Sequence, residues 1–561
     1  MTPARQTLCA ALVFGVLSAA FSWPLVCDPL GIHVTRQFDM YSLVWLSSAA
    51  PSLDSSLTTA LSSWPVGETL GRLDSFVLLL VSVLAGPLHT PWLVPALFVL
   101  VGPVLSALAA ERVAVHHMGA RFPWSLLAGA GYAFGGIAAT ALLEGHVYAL
   151  LNPWLPLLAG AWLRATGPGG RVQDGLWAAI FWVLCLLTTA YAGLCATLLV
   201  GVLGLARNLR TRGVAAAALV AVPAGLLYTW RFVGAGGAVR VDSALTGDVA
   251  TGMMAAGSAQ LGTLAGWTPT VDSTMHSMAP VLGFTVLALA LAAPLVLDRN
   301  WLPWLVLAGL GGVLSLGPTL RLYAPDGGIP WVLWPLAQMD RGASFLHFPS
   351  RLLWVTGLAL GLLAARVASV LARSSARRAA PLLGFAVVDV ILGTGAPLRS
   401  PRIPTTAPSA YAAAPQDRAV LDLMPGFHGQ STDLEWFWNN LSCSHQVHHK
   451  RPIATQCIGT TLHQGPRVVV GDWLLDRLLT GTGAGVPELL GGLGFGAVAV
   501  HPGLFTSADQ HAIVDGLQQA LGPPLASSTD GGEWVVVFGV PAVLGTRAQQ
   551  QARYAQRFPS P

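Results

Sequence analysis

From residue 7 to residue 396 the chain is a succession of apolar blocks with few charges inside them, separated by short segments carrying Arg, Gly and Pro. Blocks of this kind predict membrane-spanning helices. The first, Thr7 to Val26, lacks a small-residue cleavage site and runs into Cys27-Asp28-Pro29, so it reads as a retained helix rather than a cleaved signal. Further spans are expected at Trp92–Ala110, Trp124–Leu142, Val147–Leu163, Leu176–Ala190, Gly193–Ala206, Gly213–Trp230, Pro280–Leu297, Trp301–Leu316, Leu352–Ala365 and Ala380–Leu392. That makes about eleven, several of them short, as if tilted or half-buried among neighbours.

After Leu392 the pattern changes. The stretch Gly393 to Pro404 is rich in Gly and Pro and reads as a linker. Beyond it Ala419–Leu423, Arg467–Val470, Gly496–Val500 and Trp534–Phe538 are short β-rich runs, with helix-like stretches at Asp472–Leu479 and Ser507–Leu521, the latter opened by a Ser507-x-x-Gln510 capping pattern. A small α/β domain of about 150 residues is expected here. The expected fold class is thus a polytopic α-helical membrane protein with a C-terminal α/β soluble domain, divided into 1–396, with a first loop at 27–91, and 397–561.

Composition fixes the class. Of the 561 residues 53% are hydrophobic and only 10% charged, and mean hydropathy is +0.61. A soluble protein could not solvate that surface. The formal charge of +4, with Lys450 the one Lys, is too small for a nucleic-acid partner. Cys9, Cys185 and Cys195 lie in apolar segments, where buried thiols are ordinary. Cys443 and Cys457 fall in the C-terminal part and are a disulfide candidate if that part is extracytoplasmic.

Arginines give the orientation, because positively charged loops stay in the cytoplasm. With Arg5 inside, the same side holds Arg112, Arg121, Arg164, Arg171, Arg207, Arg210, Arg212, Arg299 and the cluster from Arg366 to Arg378. The opposite loops hold fewer. The apolar stretch Phe76–Ala85 is short and is read as re-entrant or interfacial; if it spanned, the bias would invert. The amino terminus is therefore expected inside and the C-terminal domain outside.

Asp39, in Phe38-Asp39-Met40-Tyr41, is an acid just beyond the first span of a chain that rarely uses acids. Phe38, Tyr41 and Trp45 on a short helix would pack along the membrane surface and hold the carboxylate at fixed depth. It is either a catalyst or the N-cap of a helix Met40–Leu46. Glu144 and His146 form an ionisable pair at the outer end of a span, either functional or a hydrogen-bonded helix-ending turn. Tyr191 can meet substrate or serve as an interface aromatic. His428, His445, His448, His449 and His463 near the two cysteines invite a zinc reading, but Pro452 argues for a loop, and structural or acceptor-contact roles are preferred; no metal site is assigned. No phosphate loop, dinucleotide fingerprint or Gly-x-Ser-x-Gly is present, which disfavours a nucleotide-sugar donor.

The order of features resembles the GT-C superfamily of integral membrane glycosyltransferases, particularly bacterial members with a soluble C-terminal domain. The resemblance rests on the first-loop acid at Asp39, on Gly131-Tyr132-Ala133-Phe134, Glu144-Gly145-His146 and Asn152-Pro153-Trp154-Leu155-Pro156-Leu157, and on Tyr191-Ala192-Gly193 and Leu316-Gly317-Pro318. It continues through Arg341-Gly342-Ala343-Ser344-Phe345, Phe348-Pro349-Ser350-Arg351, Val420-Leu421-Asp422-Leu423, the stretch Gln446 to Ile453 and the stretch Gly494 to Val500. It implies transfer of a sugar, with inversion, from a polyprenyl-phosphate donor to a glycan, lipid or protein acceptor on the outer face of a bacterial inner membrane. Asp39 matches the family's acid and would be the general base. Arg341 and Arg351, flanking His347, would meet the donor phosphate, or else snorkel to lipid headgroups. The chain departs from some relatives in lacking a second acid beside Asp39, which weakens a metal-dependent mechanism; no cofactor is expected. The competing reading is a non-catalytic transporter or assembly factor for lipid-linked glycans.

Overall fold

The computed structural model describes residues 2–33, 39–49, 58–59, 61, 64–65, 68–69, 90–143, 145–207, 209–229, 258–259, 283–320, 329–338, 349–373, 384, 389, 403–425, 432–455, 457, 466–530 and 533–558. The stretch Phe76–Ala85 lies outside them, as does most of Ala380–Leu392. The chain forms two compact units: Met1–Cys27, Asp74–Val77 and Ala96–Pro401 make one, and Asp28–Leu73, Leu78–Pro95 and Arg402–Pro561 the other.

The first unit is helical. Among the described residues four helices are long and apolar enough to cross a membrane, Pro3–Phe21, Leu93–His116, Arg212–Thr229 and Pro349–Leu371, and three shorter ones are apolar, Val172–Thr188, Ala190–Leu205 and Leu302–Ser315. Pro3–Phe21 shows how such a helix partitions its faces. Leu8, Leu12 and Val16, four apart, are exposed, whereas Ala10, Phe14, Leu17 and Phe21 are buried. The opposite extreme is Leu353–Leu371, buried over nearly its whole length, against which Leu302–Ser315, Leu126–Ala133 and Phe284–Leu291 pack. Small residues permit the contact: a Cβ on Gly361 would stand 3.1 Å from the Ala128 carbonyl oxygen.

Two expected spans are broken. Trp124–Leu142 is two short helices, Leu126–Ala133 and Gly136–Leu143, with Phe134 buried at the joint against Phe14 and Phe21. Val147–Leu163 is a 3₁₀ turn, Val147–Leu150, followed by a helix that starts only at Trp154, because Pro153 disfavours helical backbone at Asn152. Irregular backbone inside an apolar bundle needs hydrogen-bond partners. Ser106 Oγ donates to Leu150 O at 2.9 Å and accepts from Asn152 N at 3.0 Å, and Tyr132 Oη donates to Asn152 O at 2.8 Å.

The second unit is built on a four-stranded sheet of β1 (Ala419–Leu423), β2 (Phe495–Val500), β3 (Ala526–Ser528) and β4 (Val535–Gly539), in the order β1-β2-β4-β3. β1 and β2 are parallel; β4 runs antiparallel to both its neighbours. Alternate residues Leu421, Leu423, Val498, Val500, Val536 and Phe538 join one core with side chains from helices Pro466–Leu479, Val486–Gly492 and Ser507–Leu521. Opposite them Asp422 meets Tyr411, from the 3₁₀ turn Ser409–Ala413, and Ser442, from helix Thr432–His449.

The described residues of the first loop from Asp28 on group with this unit rather than with the helices, which the sequence did not lead one to expect. Ile32–His33 pairs with Ile403–Pro404; Trp64 N donates to Ile453 O and Trp64 Nε1 to Leu493 O, each at 2.9 Å; Lys450 Nζ donates to Ser48 Oγ at 2.6 Å. Helix Asp39–Ala49 packs against Thr432–His449, and its Tyr41, Leu43, Val44, Trp45 and Leu46 are buried. Tyr41 and Trp45 are therefore interior residues, not a surface belt. Three other expectations are corrected. Arg467–Val470 is helical, since the β-branched run continues the apolar face of Pro466–Leu479. His445, His448 and His449 lie on a helix that ends before Pro452. Helix Ser507–Leu521 is capped by Thr506, whose hydroxyl accepts from Asp509 N, not by Ser507. Cys443 and Cys457 form a disulfide.

Among the described residues Gly175 marks the tightest helix contact: an added Cβ would fall 1.8 Å from the backbone oxygen of Gly213. Gly175→Ala is expected to destabilise the pairing of Val172–Thr188 with Arg212–Thr229 by about 1–3 kcal/mol. Gly201→Ala, which meets nothing within 4 Å, should be neutral or stabilising. Thermal unfolding of both variants in one detergent checks the contrast.

Candidate functional site

Three of the residues singled out from the sequence converge. His146 sits in the turn between Gly136–Leu143 and the 3₁₀ segment that Ser106 and Tyr132 hold in place. Tyr191 lies in the first turn of Ala190–Leu205, whose cap Thr189 accepts from Ala192 N at 2.9 Å. Arg351 belongs to the 3₁₀ turn Pro349–Leu352 that leads into the buried helix Leu353–Leu371. Its Nη2 is 2.6 Å from His146 Nε2, and its guanidinium carbon stands 5.0 Å from the centroid of the Tyr191 ring. Cys195 Sγ contacts the Arg351 and Leu352 carbonyl oxygens at 3.8 and 3.9 Å, so the backbone is held as well as the side chain.

A guanidinium only donates, so His146 Nε2 accepts and the ring proton is on Nδ1. His146 and Tyr191 are buried and Arg351 half-buried. An arginine with one edge hydrogen-bonded and one face on an aromatic ring has lost most of its rotamer freedom before any ligand arrives. Such a group suits a phosphate or carboxylate, which it meets through paired N–H donors. Glu144, Arg341 and His347 lie outside the described residues. Asp39 opens helix Asp39–Ala49 in the other unit.

A second polar cluster, in the C-terminal unit, went largely unread in the sequence. Asp422 accepts from Tyr411 Oη at 2.5 Å and from Ser442 Oγ. The Tyr411 oxygen, its own proton committed to Asp422, lies 3.1 Å from His501 Nε2 and 3.2 Å from His445 Nδ1. His501 Nδ1 faces Glu533 Oε2 at 2.9 Å. Burial opposes charge on His501, yet hydrogen bonds to Asp422 and Glu533 outweigh it and carry its pKa up to about 9. Burial likewise opposes ionisation of Asp422, but His501, Ser442 and Tyr411 bring it down to about 2. The Tyr411 phenol is pushed well up, by burial first and then by Asp422. Burial lowers His445, and takes His449, stacked on Tyr411, down to about 3.

The signal was topological. Asp422 interrupts an apolar strand, His501 follows β2 and Glu533 precedes β4, and because β1 and β2 are parallel with β4 antiparallel, all three fall at one end of the sheet.

No protein-family model matches the sequence, nor does any curated protein. Among solved structures, the arabinofuranosyltransferase AftD from Mycobacteria aligns over 97% of this chain with a TM-score of 0.60 at 15% identity, and its R1389S mutant (class 2) over 97% with 0.53 at 15%. The chain has the GT-C fold. It spans 40% of the length of the AftD chain, so the likeness concerns the shared part. ArnT from Cupriavidus metallidurans, bound to undecaprenyl phosphate, aligns over 95% of this chain with a TM-score of 0.45, too low to add to that. Within the GT-C fold the irregular turn at His146 and the entry to Leu353–Leu371 are what bring His146, Tyr191 and Arg351 together.

Asp422→Asn keeps the shape but removes the charge that Tyr411, Ser442 and His501 address. The expected loss is about 3–5 kcal/mol, the cost of breaking a buried ionic network by one partner. Near-ultraviolet circular dichroism against denaturant reads it, and wild-type stability would show that the network contributes little.

Proposed function

We propose that the chain is a membrane glycosyltransferase that transfers a sugar, with inversion, from a polyprenyl-phosphate-linked donor to an extracytoplasmic acceptor. The observation that carries the reading is the convergence of Arg351, His146 and Tyr191 within a GT-C fold. The acceptor hydroxyl oxygen forms the new bond to the anomeric carbon as the bond from that carbon to the phosphate oxygen breaks. The hydroxyl proton passes to the Asp39 carboxylate. The polyprenyl phosphate leaves with the electron pair, and Arg351, with Arg341 and His347 beside it in sequence, balances its charge. Glu144, His146 and Tyr191 orient that end of the site. AftD, the solved neighbour with the higher TM-scores above, is an arabinofuranosyltransferase, so an arabinofuranosyl donor is the first to assay.

The same reading takes the bundle as about eleven spans in a bacterial inner membrane, with the amino terminus in the cytoplasm. The Cys443–Cys457 disulfide supports an extracytoplasmic C-terminal unit, because such bonds persist in oxidising compartments.

In proteoliposomes with a defined polyprenyl-phosphate sugar, Asp39→Asn should lower turnover by about 10²–10⁴ while donor affinity holds. Unchanged turnover would remove Asp39 from the chemistry. Arg351→Ala should weaken donor binding by about 10–100-fold, the worth of one or two charge-assisted hydrogen bonds. If both variants bind donor normally and the wild type transfers nothing, the chain handles lipid-linked glycans without cleaving them.

A further inference from the structure

We infer that His445, His501 and Glu533 form a binding site for a divalent transition-metal ion, zinc by its donor set, in the C-terminal unit. One ligand atom from each of the three lies within 4.8 Å of the others. His501 Nδ1 and Glu533 Oε2 are 2.9 Å apart, and His445 Nε2 and Glu533 Oε1 3.8 Å. Around a tetrahedral zinc with bonds of about 2.0–2.1 Å, neighbouring ligand atoms stand about 3.3–3.5 Å apart. Small side-chain rotations reach that spacing. Two imidazoles and one carboxylate suit zinc better than magnesium or calcium, which prefer oxygen donors throughout.

The surroundings select the right nitrogens. The Tyr411 hydroxyl gives its proton to Asp422, so its oxygen is left to accept, and both imidazoles turn a nitrogen toward it, His501 Nε2 at 3.1 Å and His445 Nδ1 at 3.2 Å. With protons on those two nitrogens, the nitrogens left to ligate are His501 Nδ1 and His445 Nε2, 2.9 and 3.8 Å from the Glu533 carboxylate. A ligating histidine anchored on its far nitrogen, with a carboxylate behind the anchor, is how metal sites fix ring orientation. Here Asp422 Oδ1 stands 3.7 Å from His501 Nε2. The bound ion takes the place of the proton between His501 Nδ1 and Glu533 Oε2.

The ligands come from three separate places: helix Thr432–His449, the residue after β2 and the second residue ahead of β4. The ion would therefore clip that helix to the end of the sheet. His445 and His501 are buried and the Glu533 side chain is 20% exposed, so the ion would enter from the Glu533 side.

The full-length protein, purified in detergent without chelator and dialysed against zinc, is analysed for metal by mass spectrometry and, after exchange with cobalt, by visible absorption. The expected results are one ion per chain, tetrahedral cobalt bands, and a lower unfolding temperature on chelation that zinc restores. Glu533→Gln and His445→Ala should each weaken zinc binding by about 10–100-fold, whereas His448→Ala, outside the cluster, should not. Two results would overturn the site: no stoichiometric ion with an unfolding temperature indifferent to chelator, or an ion kept undiminished in the Glu533→Gln, His445→Ala double variant. Circular dichroism of each variant confirms that metal is lost from a folded protein.

Discussion

A guanidinium set at the head of a helix buried among apolar neighbours is costly unless something holds and orients it. Arg351 is that group, and His146 and Tyr191 hold it. His146 reaches it only because the segment after Leu143 turns instead of continuing as a helix. Ser106 and Tyr132 satisfy the backbone at Leu150 and Asn152, where the irregular segment gives way to the next helix. Tyr191 reaches it because Thr189 starts the next helix one residue before the ring is needed. Small residues around Leu353–Leu371 let the helices close in, so the arginine's position follows from packing rather than from a flexible loop.

The C-terminal unit solves a different problem with related means. Its sheet is apolar on the face toward three helices, and on the opposite face it buries a carboxylate, a tyrosine and two histidines that satisfy one another. The first loop is woven into this unit through Ile32, Ser48 and Trp64. Asp39 is thereby carried on a helix whose Tyr41, Leu43, Val44, Trp45 and Leu46 are core, which ties the proposed base to that unit's stability.

How much of this was legible in the sequence depends on the range of the interaction. Hydropathy located helices such as Pro3–Phe21, Arg212–Thr229 and Leu353–Leu371, since apolarity is a local property of composition, and β1, β2 and β4 fell where β-branched runs predicted them. It missed the breaks near Phe134 and before Trp154, because whether a backbone leaves the helix in an apolar bundle depends on partners such as Ser106 and Tyr132, distant in sequence. The run Arg467–Val470 misled through strand propensity, which tertiary packing overrode. Among site residues, His146, Tyr191 and Arg351 were marked by chemistry out of place at the ends of apolar segments. His501 and Glu533 were not, because their significance comes from strand order, which a single sequence does not display. His445 was noticed, but as part of a loop.

The central claim is that Arg351, with His146 and Tyr191, receives the phosphate of a lipid-linked donor. The most direct measurement is photo-crosslinking in proteoliposomes with a polyprenyl phosphate that carries a diazirine next to the phosphate, followed by peptide mass spectrometry. The account predicts label concentrated on peptides containing His146, Tyr191 and Arg351, and displaced by unlabelled polyprenyl phosphate. Label spread along lipid-facing helices such as Arg212–Thr229, indifferent to competitor, would contradict it.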